Sequence, residues 1–237
     1  MAANAAHAMP PTVSHRRLYV RFAVGLAIAY AVLLFLPAGT IDWPLGWLFA
    51  GMFTLSVVLT ATWVIRVNPE IIEARSRIHQ GTKRWDLFLL PLLLASMFAI
   101  YPVAALDNAR FHWSHVERWT VVLGYILLVP SLPLGAWAES VNKFFEPSVR
   151  IQADRGQHVI DRGPYAFVRH PGYVSALLML PGSALALGSS WALVPAAICS
   201  ALIVLRTVWE DRMLHEELPG YREYAARVRY RLLPGVW

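Results

Sequence analysis

Between Gln157 and Tyr173 the chain gathers His158, Arg162, Tyr165, Arg169, His170 and Tyr173, punctuated by Gly163-Pro164 and Pro171-Gly172. Imidazole, guanidinium and phenol groups at this density can bind an anion, pass a proton or face a cation. Gly163-Pro164 marks a turn, and the proline after His170 forces that residue extended, so an apolar span is expected to start just after Pro171. Backbone amides at such a helix start, beside Arg169 and His170, suit a carboxylate or phosphate. A plain loop touching lipid headgroups accounts for the same residues, and their chemistry alone leaves both readings open.

A second polar set lies downstream. Glu210 and Asp211 follow Arg206, and the i,i+4 spacing of Arg206 and Glu210 predicts an ion pair on one helical face. Pro219-Gly220 breaks the helix. Tyr221, Tyr224, Ala225 and Val228 then recur at i, i+3, i+4 and i+7, with Arg222, Arg227, Arg229 and Arg231 around them. Such a stripe suits packing against a bundle as well as lining a cofactor site.

The elements that must carry these groups are greasy. The chain of 237 residues is 57% hydrophobic and 15% charged, against about 25% charged in an ordinary globular domain. Apolar stretches recur at about 18–38, 43–65, 87–106, 119–138, 173–188 and 191–209. A bilayer crossing takes about 20 helical residues. The last two stretches are joined by Gly188-Ser189-Ser190, a turn signal, and read as a hairpin. Pro91, Pro130, Pro133, Pro181 and Pro195 fall inside these runs, as packed membrane helices tolerate. The predicted fold class is an all-α, polytopic membrane helical bundle of about six apolar segments, with a cytoplasmic cap from the C-terminal half.

With six crossings and the N-terminus inside, all 21 Lys and Arg residues except Arg110 and Arg118 face the cytoplasm. That asymmetry explains the net charge of +6 without nucleic acid. It places both termini and the polar segments 139–172 and 210–237 on the cytoplasmic side. Cys199, the single cysteine, excludes an internal disulfide and a zinc cluster. No metal site is predicted, since His112 and His115 stand without a third ligand. Residues 1–17 read as a disordered tail, 18–138 as a bundle of four spans and 139–237 as the catalytic region. Segment 67–85 reads as an interfacial amphipathic helix, and Val149/Ile151 and Val159/Ile160 as short extended pieces. Trp43, Trp47, Trp85, Trp113, Trp119 and Trp191 sit near span ends, as in an aromatic belt.

Taken in order, Gly156-Gln157-His158-Val159, Gly163-Pro164-Tyr165, Arg169-His170-Pro171-Gly172-Tyr173, Glu210-Asp211 with Leu214, and Tyr221, Tyr224, Val228 and Arg231-Leu232-Leu233-Pro234 resemble the C-terminal half of the isoprenylcysteine carboxyl methyltransferase family. They are more distantly similar to the phospholipid N-methyltransferases. The resemblance covers roughly residues 139–237. It departs from the pattern at Ser175, where a Gly is usual, and at Asp211, where a second Glu is usual.

The resemblance implies an integral membrane enzyme that takes S-adenosylmethionine from the cytosol and meets its acceptor sideways from the bilayer. Carried over, His158, Val159, Gly163, Tyr165, His170, Pro171, Tyr173, Glu210 and Asp211 would bind the cofactor. Arg206, Glu210 and Arg169 would carry catalysis, and Arg227, Arg231, Tyr221 and Tyr224 would bind the acceptor. A carboxylate acceptor is already ionised and needs a cation such as Arg206. An amine must lose a proton, and Glu210 would serve as base. The expected acceptor is an isoprenylcysteine-type carboxylate, with a phospholipid amine as the alternative. A non-enzymatic transporter or scaffold is the rival from another class. It sits poorly with spans that lack internal repeats and mid-membrane charge.

Overall fold

A computed structural model describes residues 15–69 and 81–237. The bundle consists of α1 (His15–Ala38), α2 (Pro44–Val67), α3 (Arg84–Ala104), α4 (Arg118–Val141), α5 (Pro171–Ala186) and α6 (Leu193–Glu217), followed by the short α7 (Tyr221–Arg227). No strand occurs among the described residues, so the extended pieces expected near 149–151 and 159–160 are irregular loop. Most of the expected tail, and most of the expected amphipathic segment, lie outside the described residues. Helix α1 begins at His15, inside the stretch read as tail.

Four helices are long and apolar enough to cross a membrane: Pro44–Val67, Arg84–Phe111, Arg118–Val141 and Leu193–Glu217. Two shorter apolar helices, Val24–Ala38 and Pro171–Ala186, complete the bundle of a multi-pass membrane protein. Proline at the first turn starts α2 and α5, where its missing N–H costs nothing and its fixed φ is already helical. The 16 residues of α5 rise about 24 Å at 1.5 Å each, short of the hydrocarbon core. This brevity leaves room for the loop that precedes it.

Helix α3 continues into a π-helical turn, Ala105–Phe111, that turns Asp107 and Asn108 inward. Asp107 is fully buried and accepts hydrogen bonds from Ser114 N (2.8 Å), Ser114 Oγ (2.7 Å) and Ser189 Oγ (2.6 Å). Asn108 takes one from Trp43 Nε1 at 2.8 Å and gives one to Gly188 O at 2.9 Å. Trp43 is therefore a buried tie rather than a belt residue, while Trp47, Trp113, Trp119 and Trp191 are exposed. A buried acid at this end of an apolar bundle persists because these donors satisfy it. These bonds fasten the α5–α6 turn, where Gly188 has φ +70°, to the rest of this end.

Aromatic packing fills the middle. The Tyr30 ring lies 4.9 Å from Phe53 and 5.2 Å from Tyr101. Helices α4 and α5 cross most closely, because the contact uses Gly124 and Gly182. A methyl group on Gly124 would come within 2.2 Å of Ala186 N, so only glycine lets these backbones meet. We expect Gly124→Ala to destabilise the bundle by about 1–3 kcal/mol, as overpacking does. A lower thermal midpoint in detergent would report it, and an unchanged midpoint would refute it.

Candidate active site

Three segments converge at the end of the bundle opposite Asp107: the loop 142–170, the last turns of α6, and α7 with the chain after it. The loop is braced by its own side chains. Asn142 Oδ1 accepts from Phe144 N, and its Nδ2 donates to Tyr165 OH, both at 2.9 Å. Gln152 Nε2 donates to Phe144 O at 2.7 Å, and Arg155 Nη1 donates to Gln152 Oε1 at 2.8 Å. Arg150 forks onto Glu146 at 2.8 and 2.9 Å and reaches Asp154 at 2.7 Å. Gly163, with φ +61°, turns the chain against Trp137 and Val141. A loop cross-tied this way presents its side chains at little further ordering cost.

The α6 acids diverge. Residues 210 and 211 are about 100° apart around a helix, so they face different surroundings. Asp211 is 1% exposed. It receives Arg169 Nε (2.8 Å), Arg231 Nε (2.7 Å) and Tyr221 OH (2.9 Å), with His170 Nε2 at 3.2 Å. Arg169 also donates to Val228 O and Arg229 O, at 2.9 and 2.8 Å. Backbone bonds from Arg169 N to Tyr230 O and from His170 N to Arg231 O run alongside. Asp211 is thus a knot joining α6, the loop and the chain after α7. Burial works against the Arg169 cation, but the Asp211 carboxylate more than offsets it and holds the guanidinium charged.

Glu210 points elsewhere. Its carboxylate accepts a hydrogen bond from Tyr173 OH, and it lines a cavity of about 740 Å³, within the roughly 300–1,000 Å³ range of small-molecule sites. His158, Val159, Tyr165, Arg169, His170 and Tyr173 line the same cavity, as do Arg206, Tyr221 and Tyr224. Ten of the candidate residues thus line one cavity. Burial raises the phenols of Tyr165, Tyr221 and Tyr224 above the ordinary tyrosine range, so they are neutral donors at physiological pH. Tyr224 OH donates to Tyr165 O at 2.7 Å.

Five expected site residues are not on the cavity wall. Gly163 and Pro171 shape the backbone behind it, the second at the start of α5. Asp211 is consumed by its knot, and Arg231 by Asp211. Arg227 is exposed and pairs with Asp161 at 2.9 Å. The expected Arg206–Glu210 pair also gives way. Arg206 forks onto Asp86 of α3 at 2.8 and 2.9 Å and donates to Pro147 O at 2.6 Å. Asp86 was not foreseen as part of this region, while Glu139, Asn142 and Gln157 lay inside the expected catalytic region without being named as site residues. An acid at the head of an apolar run was the signal for Asp86.

Below this polar end the cavity becomes apolar. Val57, Leu93, Met97, Met179, Leu180 and Cys199 line it, so α2, α3, α5 and α6 all contribute. The stretch 18–138 therefore builds the site as well as anchoring it. Its shape, a polar pocket opening into a greasy one, suits a soluble group meeting a lipid. Groups of three or more His, Cys, Asp or Glu able to hold a metal are absent among the described residues.

Comparison with the curated proteins gave no match. Residues 119–219 match the family model described as phospholipid methyltransferase. That stretch contains the loop, Glu210 and Asp211, and ends before the tyrosine stripe. Over residues 119–219, from α4 to the turn before α7, the chain is similar to the phospholipid methyltransferase family of membrane methyltransferases.

Proposed function

We propose that the protein transfers a methyl group from S-adenosylmethionine to the amine of a lipid held in the bilayer. The polar end fits such a cofactor: it offers phenols, His158 and the Glu210 carboxylate around a space of adequate size. When bound, S-adenosylmethionine supplies an electrophilic methyl on a sulfonium. Tyr173 and Tyr221 present aromatic faces that favour a nearby cation. The braced loop orients the reactants and limits water.

Glu210 carries the choice of acceptor. A carboxylate acceptor needs a cation to meet it, yet Arg206, Arg169 and Arg231 are each bonded to a buried acid, and Arg227 lies outside the cavity. The polar wall instead offers an acid to the acceptor. An ammonium group gives its proton to Glu210. The freed nitrogen lone pair would then take the methyl group that the sulfonium donor would supply, the electron pair of the S–C bond remaining on sulfur as a neutral thioether. Among the described residues α2 and α3 make little direct contact although both line the cavity, which supports acceptor entry sideways between them. The positive-inside distribution supports a cytoplasmic cap with both termini on the same side. On this reading residues 139–237 form the catalytic region and 18–138 the lipid-facing wall.

The test uses protein in lipid nanodiscs. Calorimetry is expected to show S-adenosylmethionine binding. Radiolabelled methyl is expected in phosphatidylethanolamine at a rate above that for an S-farnesylated cysteine. Well-folded protein that binds no cofactor would overturn the reading. Transfer only to the cysteine carboxylate would restore the acceptor that the motifs first suggested.

A further inference from the structure

Arg206 sits between two acids. Glu210 is one turn away on its own helix, about 6 Å along the axis, and Asp86 reaches it from α3 across 120 residues of sequence. Helical spacing favours the first pairing, but the fold adopts the second. Asp86 is fully buried at the head of α3. Its Oδ1 and Oδ2 accept from Arg206 Nε and Nη2, and Oδ2 also accepts from Val149 N at 2.7 Å. Arg206 Nη2 is further held by Pro147 O. A two-pronged guanidinium–carboxylate bond of this kind fixes direction as well as charge. The Arg206 guanidinium meanwhile stays on the cavity wall, 5.8 Å from the centre of the Tyr173 ring, and Tyr173 donates to Glu210.

We propose that Asp86 is a positioning residue that sets acceptor charge: by holding and neutralising Arg206 it keeps that cation from pairing with Glu210, and so leaves the site selective for an amine over an anion. This rests on the amine-transfer reading above and goes beyond it, because Asp86 touches neither reactant. Without the Asp86 charge, Arg206 has two favourable ends. It turns to Glu210 and silences the base, or it stays put and offers an uncompensated cation to a carboxylate acceptor. Either way amine transfer falls relative to carboxylate transfer.

The experiment measures both transfers, to phosphatidylethanolamine vesicles and to an S-farnesylated cysteine, for wild type, Asp86→Asn and the double variant Asp86→Asn/Arg206→Gln. Asp86→Asn is expected to lower the amine-to-carboxylate ratio about tenfold or more. The double variant, which removes both charges together, is expected to regain the wild-type ratio. It also answers if the single variant fails to fold, since replacing a buried pair whole is far milder than breaking it. Equal loss of both transfers in Asp86→Asn with no change in ratio would mean Asp86 only supports the fold. A double variant that loses amine preference would overturn the inference by making Arg206 itself a contributor. Failure of wild type to methylate the amine at all would overturn the reading of function and this inference with it, whereas an unchanged ratio in Asp86→Asn beside an active wild type overturns this inference alone.

Discussion

Glu210→Gln is expected to lower methyl transfer to an amine by about 10²–10⁴-fold, the usual contribution of a positioned proton acceptor, while the protein stays folded. Glutamine keeps the shape of the side chain and an oxygen that can accept from Tyr173 OH, so the α5–α6 contact at this point survives. It cannot take a proton. The loss should therefore fall on kcat, with S-adenosylmethionine affinity from calorimetry within a few-fold of wild type. An acceptor amine that enters already neutral at high pH should recover part of the rate, because deprotonation is then done by solvent. A variant that keeps wild-type turnover would remove Glu210 from the chemistry. One that loses cofactor binding altogether would assign the carboxylate to the cofactor instead, the role that the motif resemblance first gave it.

Asp211→Ala should act on the whole cap rather than on one step. Two arginines, a histidine and a tyrosine converge on this carboxylate. Its removal leaves buried guanidinium charge without a counterion, which costs about 3–5 kcal/mol where one partner of such a pair is removed. The loop loses its tie to the chain after α7, so Arg169, His170 and Tyr221 lose their places on the cavity wall. We expect cofactor affinity to fall with stability, and limited proteolysis to cut in 142–170 and beyond 218 while the helical core stays protected. Asp211→Asn, which still accepts but carries no charge, should lie between. If Asp211→Ala leaves both the proteolytic pattern and cofactor affinity unchanged, the knot does not organise the cap.

The contrast between these neighbours shows what could be read from sequence. The apolar runs located the bundle closely: 119–138 became Arg118–Val141 and 43–65 became Pro44–Val67, since a bilayer-length stretch of apolar residues has few other uses. Ten of the candidate side chains meet around one cavity because the motifs that carry them are local and ordered. The divergent facing of Glu210 and Asp211 was also available, since adjacent helical positions do not share a face. The partner of Arg206 was not available. Spacing favoured Glu210, and the preference for Asp86 comes from α3 lying beside α6, a contact between distant stretches. The π-helical turn that buries Asp107 was equally hidden, because its register depends on Ser114, Ser189 and Trp191 arriving from other segments.

Asp107 and Asp211 lie at opposite ends of the bundle, about 30 Å apart given the rise of α6 between their partners. Each fastens several segments with directional bonds, whereas the waist between them is held by aromatic and aliphatic packing. Such a molecule resembles a barrel hooped at its rims, with mainly apolar packing between the hoops. On the proposed reading, the chain of a lipid acceptor would enter and leave through this waist, while the knot at Asp211 would keep the pocket proposed for the methyl donor in shape.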